Sequence, residues 1–282
     1  SRCCQHNHAQ GWPYFTEHLV LATPDNGVAI AIYAACKATV KVGDGKEITL
    51  HEETNYPFEE AIAFTVSTGE KVAFPFYLRI PSWTQKAEVR VNGKKVSAAP
   101  VAGKYLCINR EWANGDRVEL TLPMSLSMRT WQVNKNSVSV DYGPLTLSLK
   151  IAEKYVEKDS RETAIGDSKW QKGADSKKWP TTEIYPDSPW NYSLVLDKKE
   201  PLKNFKVIRK SWPTDNYPFT VASVPLEVKA IGRPVPEWKI DETGLCGVLP
   251  EEDAVKGDKE EITLIPMGAA RLRISAFPNT KE

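Results

Sequence analysis

The first pattern along the chain is helical and brief. In WPYFTEHLVLA the apolar residues Trp12, Phe15, Leu19 and Ala22 recur at spacings of three and four, which predicts one short amphipathic helix ending near Ala22. From Gly27 the period changes to two. VAIAIY, ATVKV, EITLHEET, AIAFTV, FPFYLRI, AEVRV, YLCINR, RVELTL and SVSVDY are short runs, many alternating apolar with polar residues, bounded by Gly, Pro, Asn and Asp. That texture predicts half-buried strands. Asp44-Gly45, Asn92-Gly93 and Asn114-Gly115-Asp116 supply residues that tolerate positive φ, as tight hairpins require. Many short strands with hairpin signals favour antiparallel sandwiches over helices alternating with a parallel sheet. The expected fold class is therefore mostly β, with two antiparallel sandwich-like domains after one helix.

The pattern also places boundaries. Residues 24–150 read as a first sandwich. Residues 151–190 read as an irregular, Lys- and Asp-rich connection carrying Trp170, Trp179 and Trp190. Alternation returns in YSLVLD, FKVIRK, FTVAS, LEVKAI, EITLIP and RLRISAF, so 191–282 read as a second, smaller β domain. No heptads or internal repeats appear, which removes coiled-coil and solenoid readings.

Composition narrows the function classes. The 282 residues suit two ordinary cores, and 37 Lys and Arg against 36 Asp and Glu leave a formal charge of +1. Nothing in that balance attracts a phosphate backbone or an anionic membrane, so neither nucleic acid nor membrane is expected as a partner. The opening SRCCQHNH has no apolar leader and begins on Ser, so the start reads as a cut with any targeting signal upstream. Five cysteines are too few and too scattered for a disulfide framework, and Cys36, Cys107 and Cys246 are expected to be buried small hydrophobes. Nine tryptophans raise the chance of sugar-stacking surfaces, although each is individually a common core anchor.

Reactive side chains concentrate at the start, where Cys3, Cys4, His6 and His8 fall close together. Two thiolates can share a soft cation such as zinc, and a coordinated thiol persists as a nucleophilic thiolate. Against this, the usual CxxC spacing is absent and four ligands are needed, so buried or terminal thiols remain the plainer reading. His6 and His8 could complete a site or simply face solvent; His18 and His51 are isolated. Glu52 and Glu53 cannot flank one glycosidic bond, because adjacent strand residues point to opposite faces. There is no phosphate loop, GxSxG elbow or HExxH.

Several segments together resemble one family. CCQHN, HEETNYPFE, FYLRIPSW, VRVNGKKV, YLCINREWANGDRVELTLPM, VDYGPL, SPWNYSLVL and ITLIPMGAARLRISAFP follow the order seen in the beta-L-arabinofuranosidases of glycoside hydrolase family 127 and relatives. The resemblance implies a parent enzyme with an α/α-barrel followed by β-sandwiches, of which residues 1–23 would be the last barrel helix. It implies Cys3 as nucleophile and Cys3 and Cys4 as zinc ligands in the intact protein. The other ligands and the acid/base would lie upstream, so this fragment is expected to be inactive alone and need not retain zinc. The expected partner is an arabinofuranose-containing glycan, and family analogy points to a bacterial, periplasmic or extracellular setting. A carbohydrate-binding role, with Trp179 or Trp190 and also Trp83, Trp112 or Trp238 stacking on sugars, is the alternative, together with a purely structural one. A helix without its barrel would expose Trp12, Phe15 and Leu19, so it should fray, pack on the first sandwich or mediate a homodimer.

Overall fold

The period change near Gly27 is where strands take over in the computed structural model, which describes residues 7, 9–159, 175, 177–242, 244–251 and 253–282. The predicted helix is shorter than its pattern. Helix α1 covers Gly11–Glu17, and the next residues already belong to a sheet. Leu19 is buried and its carbonyl accepts the Ala31 N–H at 3.0 Å, so the expected apolar stripe keeps only Trp12 and Phe15. Those two rings meet edge to face at 6.3 Å, with Trp12 70% exposed.

The chain divides into two compact units after Ser125. In the first, ten strands follow α1: β1 (Val20–Ala22), β2 (Val28–Ile30), β3 (Cys36–Val42), β4 (Lys46–Thr54), β5 (Ala61–Thr68), β6 (Val72–Arg79), β7 (Glu88–Val91), β8 (Lys94–Lys95), β9 (Tyr105–Trp112) and β10 (Arg117–Thr121). They form a four-stranded sheet ordered β1-β2-β6-β9 and a six-stranded sheet ordered β3-β4-β5-β10-β7-β8. All pairs are antiparallel except β2 with β6. Period-two alternation makes this a sandwich. Phe74, Phe76 and Leu78 of β6 turn inward, as do Ile48 and Leu50 of β4 and Ile62, Phe64 and Val66 of β5, and all join one core. Burying each such side chain is worth about 1.5–3 kcal/mol. Phe64 meets Phe76 at 5.6 Å, and Trp112 sits 5.7 Å from Phe74 and 5.6 Å from Phe76. Gly27 is required by contact: a Cβ there would stand 2.2 Å from the Pro75 carbonyl oxygen, where β2 runs beside β6.

The second unit, Leu126–Glu282, is the longer of the two, not the smaller. Its strands are β11 (Leu126–Trp131), β12 (Ser137–Tyr142), β13 (Leu145–Leu149), β14 (Glu153–Lys158), β15 (Thr181–Pro186), β16 (Tyr192–Leu196), β17 (Lys206–Arg209), β18 (Leu226–Pro234), β19 (Glu260–Pro266) and β20 (Asn279–Lys281). The boundary expected at 150 falls earlier because β13 pairs with β19, which draws β11 to β13 into this unit. One eight-stranded sheet, rather than two, runs β11-β12-β13-β19-β18-β16-β20, with β17 beside β18. It curls back on itself. Val138 of β12 and Phe277 exchange both backbone hydrogen bonds, at 2.8 and 2.9 Å, while the next carbonyl, that of Pro278, accepts from Leu194 of β16. Consequently β12 and β16 are buried along their whole lengths.

Two sequence expectations change in this unit. The stretch 151–190 is not irregular at its ends, where β14 and β15 pair over six residues as an antiparallel ribbon. FTVAS and RLRISAF form no strand. The second runs extended across β13 and β12 instead, with the Ile274 carbonyl accepting from Leu149 N–H and the Ser275 carbonyl from Ser139 Oγ.

Candidate functional site

Cys3, Cys4, His6 and His8 lie outside the described residues. Among the described residues no three His, Cys, Asp or Glu side chains converge as metal ligands. His18 is taken up locally, its Nδ1 lying 2.6 Å from the Tyr14 carbonyl oxygen. Two other groupings in the first unit combine titratable and aromatic side chains.

The first is interior. Alternation along β4 turns Glu52 inward and Glu53 outward, so Glu52 is 2% exposed whereas Glu53 reaches Arg117 at 3.4 Å. Glu52 Oε1 accepts the Ala34 N–H at 3.0 Å, and the Cys36 thiol donates to Oε2 at 3.8 Å. Burial pushes the Glu52 carboxyl up to about 8, with those two hydrogen bonds opposing it only in part. Burial also raises the Cys36 thiol to about 11, helped by Glu52. Beside them Tyr33 donates to the Arg79 carbonyl at 2.5 Å, and the Arg79 guanidinium donates to the Ala31 carbonyl at 2.6 Å. A protonated carboxyl closed off from solvent can hold a loop, but it cannot reach a substrate.

The second grouping is open. Because Phe76, Leu78, Leu106 and Ile108 face the core, the intervening Tyr77 of β6 and Tyr105 and Cys107 of β9 stand on the outer face of the four-stranded sheet. The β1–β2 connection brings Asp25 against them. Tyr77 Oη donates to Asp25 Oδ2 at 2.6 Å, Thr23 Oγ1 donates to Oδ1 at 2.5 Å, and the Gly27 N–H fixes Thr23 Oγ1 at 3.0 Å. The hydrogen bond from Thr23, then that from Tyr77, holds the Asp25 carboxylate below its usual value. The Tyr77 hydroxyl is correspondingly harder to ionise, first through Asp25 and then through Cys107. Thr23, Pro24, Asp25, Ala29, Tyr77 and Tyr105 line an open pocket of about 520 Å³. None of these lining residues was singled out by the sequence reading, although the outward phase of FPFYLRI and YLCINR carries the tyrosines.

The tryptophans divide differently from expectation. Trp112 is enclosed and donates from Nε1 to the Phe74 carbonyl at 3.0 Å; Trp238 is also buried and donates to the Gly247 carbonyl at 3.0 Å. Trp190 packs edge-on to Trp238 at 5.2 Å, and Trp83 lies half-buried against the first core. Trp179 is 65% exposed, with the Lys178 ammonium 5.9 Å from its ring centre. The cysteines depart too. Cys107 and Cys246 are exposed and Cys36 half-buried, because Cys107 falls on the outward phase of β9 between Leu106 and Ile108.

Three of the segments that carried the family resemblance, VNG, WANGD and VDYGPL, are architectural. Asn92, at φ 50°, and Gly93, at φ 75°, make the turn after β7, and Asn92 Nδ2 donates to Asp116 Oδ1 at 2.7 Å. Arg117 N–H returns to Asn92 Oδ1 at 2.8 Å, and Ala113 N–H reaches Asp116 Oδ2 at 2.9 Å. VNG and WANGD thus form one buckle between neighbouring strands. In the second unit Asp141 of VDYGPL takes a two-pronged bond from Arg129, at 2.6 and 2.9 Å.

Residues 27–124, almost the whole first sandwich, match the family model described as the GH127 middle domain of beta-L-arabinofuranosidase. The first unit resembles the GH127 middle domain. Solved structures extend the likeness of fold to both units. Ara127N-Se, a GH127 beta-L-arabinofuranosidase from Geobacillus stearothermophilus T6, matches with a TM-score of 0.65 at 21% identity over 99% of this chain and 37% of its own. A protein described as a glycoside hydrolase matches at 0.66 and 22% identity, over 99% of this chain and 40% of its own. A GH127 beta-arabinofuranosidase matches at 0.58 and 23% identity, over 92% and 36%. This chain therefore spans less than half the length of those structures. No curated protein matches it significantly.

Proposed function

We propose that this chain is part of a retaining glycoside hydrolase acting on arabinofuranose-containing glycans. The observation that carries the reading is the match of residues 27–124 to the GH127 middle domain, supported by a fold shared with GH127 enzymes over both units. In this reading Cys3 is the nucleophile. Its thiolate attacks the anomeric carbon as the bond to the leaving oxygen breaks, an acid outside this chain protonates that oxygen, and water then releases the sugar from sulfur. Cys3 and Cys4 offer two thiolates to zinc, with His6 and His8 alongside. Among the described residues no three His, Cys, Asp or Glu side chains converge, and zinc held by Cys3 and Cys4 would draw its remaining ligands from His6, His8 or residues beyond this chain.

A consequence is that the chain by itself hydrolyses nothing, and that the two β units serve the hydrolytic step only as scaffold. The buckle joining Asn92 to Asp116 and the buried Trp112 support that structural role. The test compares this chain with a protein carrying the further length of the matched structures, assayed on arabinofuranosides with zinc measured in both. Activity and bound zinc are expected in the longer protein alone, with Cys3→Ala lowering turnover on the order of a thousandfold. Full activity in Cys3→Ala, or no activity in either protein, would overturn the reading.

A further inference from the structure

We propose that the pocket on the outer face of the four-stranded sheet binds a neutral sugar ring, with Tyr77 and Tyr105 as stacking surfaces and Asp25 as the acceptor of sugar hydroxyls. The site stands apart from Cys3 and Cys4 in chemistry and does not rest on the hydrolase reading, since binding breaks no bond.

Three observations point to a sugar. Tyr77 lies opposite Cys107 in the pairing of β6 with β9, and Arg79 lies opposite Tyr105, so the two tyrosines are diagonal neighbours on one face. Diagonal side chains stand roughly 7–8 Å apart at the backbone, within the span of one sugar ring. Tyr105 is 49% exposed and offers its ring to solvent without rearrangement. Next, Asp25 is already oriented: Thr23 and Tyr77 each occupy one direction on one carboxylate oxygen, leaving further lone pairs for incoming hydroxyl donors. A carboxylate accepting from hydroxyl groups makes short, strong hydrogen bonds, and an aromatic face beside it covers the C–H side of a pyranose or furanose. Finally, among the described residues the lining carries one carboxylate and no Lys or Arg, and the guanidinium of Arg79, opposite Tyr105, is taken up by the Ala31 carbonyl, so the site favours an uncharged ring over phosphates, sulfated sugars and uronates. The site is open, so a sugar would lie along the face against the two rings rather than be enclosed.

The second unit shows what is missing elsewhere. Its cleft of about 400 Å³ is lined by Lys135, Lys198, Lys281 and Asp197 with Thr130, two asparagines, prolines and aliphatic residues, and among the described residues by no aromatic side chain. It offers charge without a platform.

The experiment titrates this chain with a neutral arabino-oligosaccharide, a neutral xylo-oligosaccharide and an oligogalacturonate. Binding is read by calorimetry and by alkylation of Cys107, which lies across from Tyr77 and is resolved from other thiols by peptide mass spectrometry. A neutral oligosaccharide is expected to bind with Kd of about 0.1–1 mM and to slow alkylation of Cys107. Tyr105→Ala should weaken binding about tenfold and Asp25→Asn by a similar factor, each with the melting temperature preserved. Absence of binding by both neutral sugars, equal binding of the uronate, or binding indifferent to Tyr105→Ala and Tyr77→Ala would overturn the proposal. So would sedimentation showing the face covered by a second copy that Tyr105→Ala releases. Loss of binding alongside intact Cys3-dependent hydrolysis in the longer protein would remove this inference and leave the hydrolase reading standing.

Discussion

Glu52 and Asp25 belong to the same sandwich, sit near tyrosines, and behave in opposite ways. Glu52 points into the space between the sheets, where burial outweighs its two hydrogen bonds and pushes its carboxyl up to about 8. Asp25 lies on the outer face, where hydrogen bonds from Thr23 and Tyr77 hold it low in full contact with water. The difference teaches that two carboxylates in one β domain are assigned their work by the phase of a strand and the reach of a loop. The interior acid serves the fold; the outer one is free to meet a ligand.

The comparison is tested most harshly by removing the largest interior side chain. Trp112→Ala deletes contacts to Phe74 and Phe76 and leaves the Phe74 carbonyl without its donor, so the first unit should lose about 3–5 kcal/mol in denaturant unfolding. The next effect is one of pH. The unfolded Glu52 carboxyl gives up its proton near 4.5, whereas the folded one keeps it to about 8, so stability is full below about 4.5 and declines as pH rises toward 8. Glu52→Gln, which cannot ionise, should flatten that decline by an amount on the order of a few kcal/mol, measured as unfolding free energy between pH 4 and 9. A wild-type stability curve that instead rises with pH and is unaltered by Glu52→Gln would break the contrast. The smallest effect belongs to the outer face. Tyr77→Phe removes one donor from Asp25, so the carboxyl should titrate closer to its ordinary 3.8 in an NMR pH series while the melting temperature stays put.

Much of the first unit was legible because its chemistry is local. Alternation predicted β2 to β7, β9 and β10, and Asn92-Gly93 announced a turn whose positive φ angles the structure shows. What escaped was whatever depends on distant partners. Nothing within Leu145–Leu149 tells that it pairs with Glu260–Pro266, so the boundary between units was placed too late. Leu19 fits a helical stripe by spacing, yet the Ala31 amide claims its carbonyl for a sheet. The open site was hidden for a related reason. Tyr77 and Tyr105 are far apart in sequence, and the Asp25 that joins them sits in a polar turn resembling any other. The conspicuous tryptophans drew attention instead, and Trp112 and Trp238 proved to be core.

The curl of the second sheet has a bearing on how the chain is made. Val138 pairs with Thr130 of β11 on one side and with Phe277 on the other, and Leu194 pairs with the segment leading into β20. The first unit is one compact body ending at Ser125, and domains of that kind generally fold as units during synthesis. The second cannot shut its sheet until the segment from Phe277 to β20 has been made, and until then the side of β12 at Val138 that Phe277 covers stays open to a neighbouring strand.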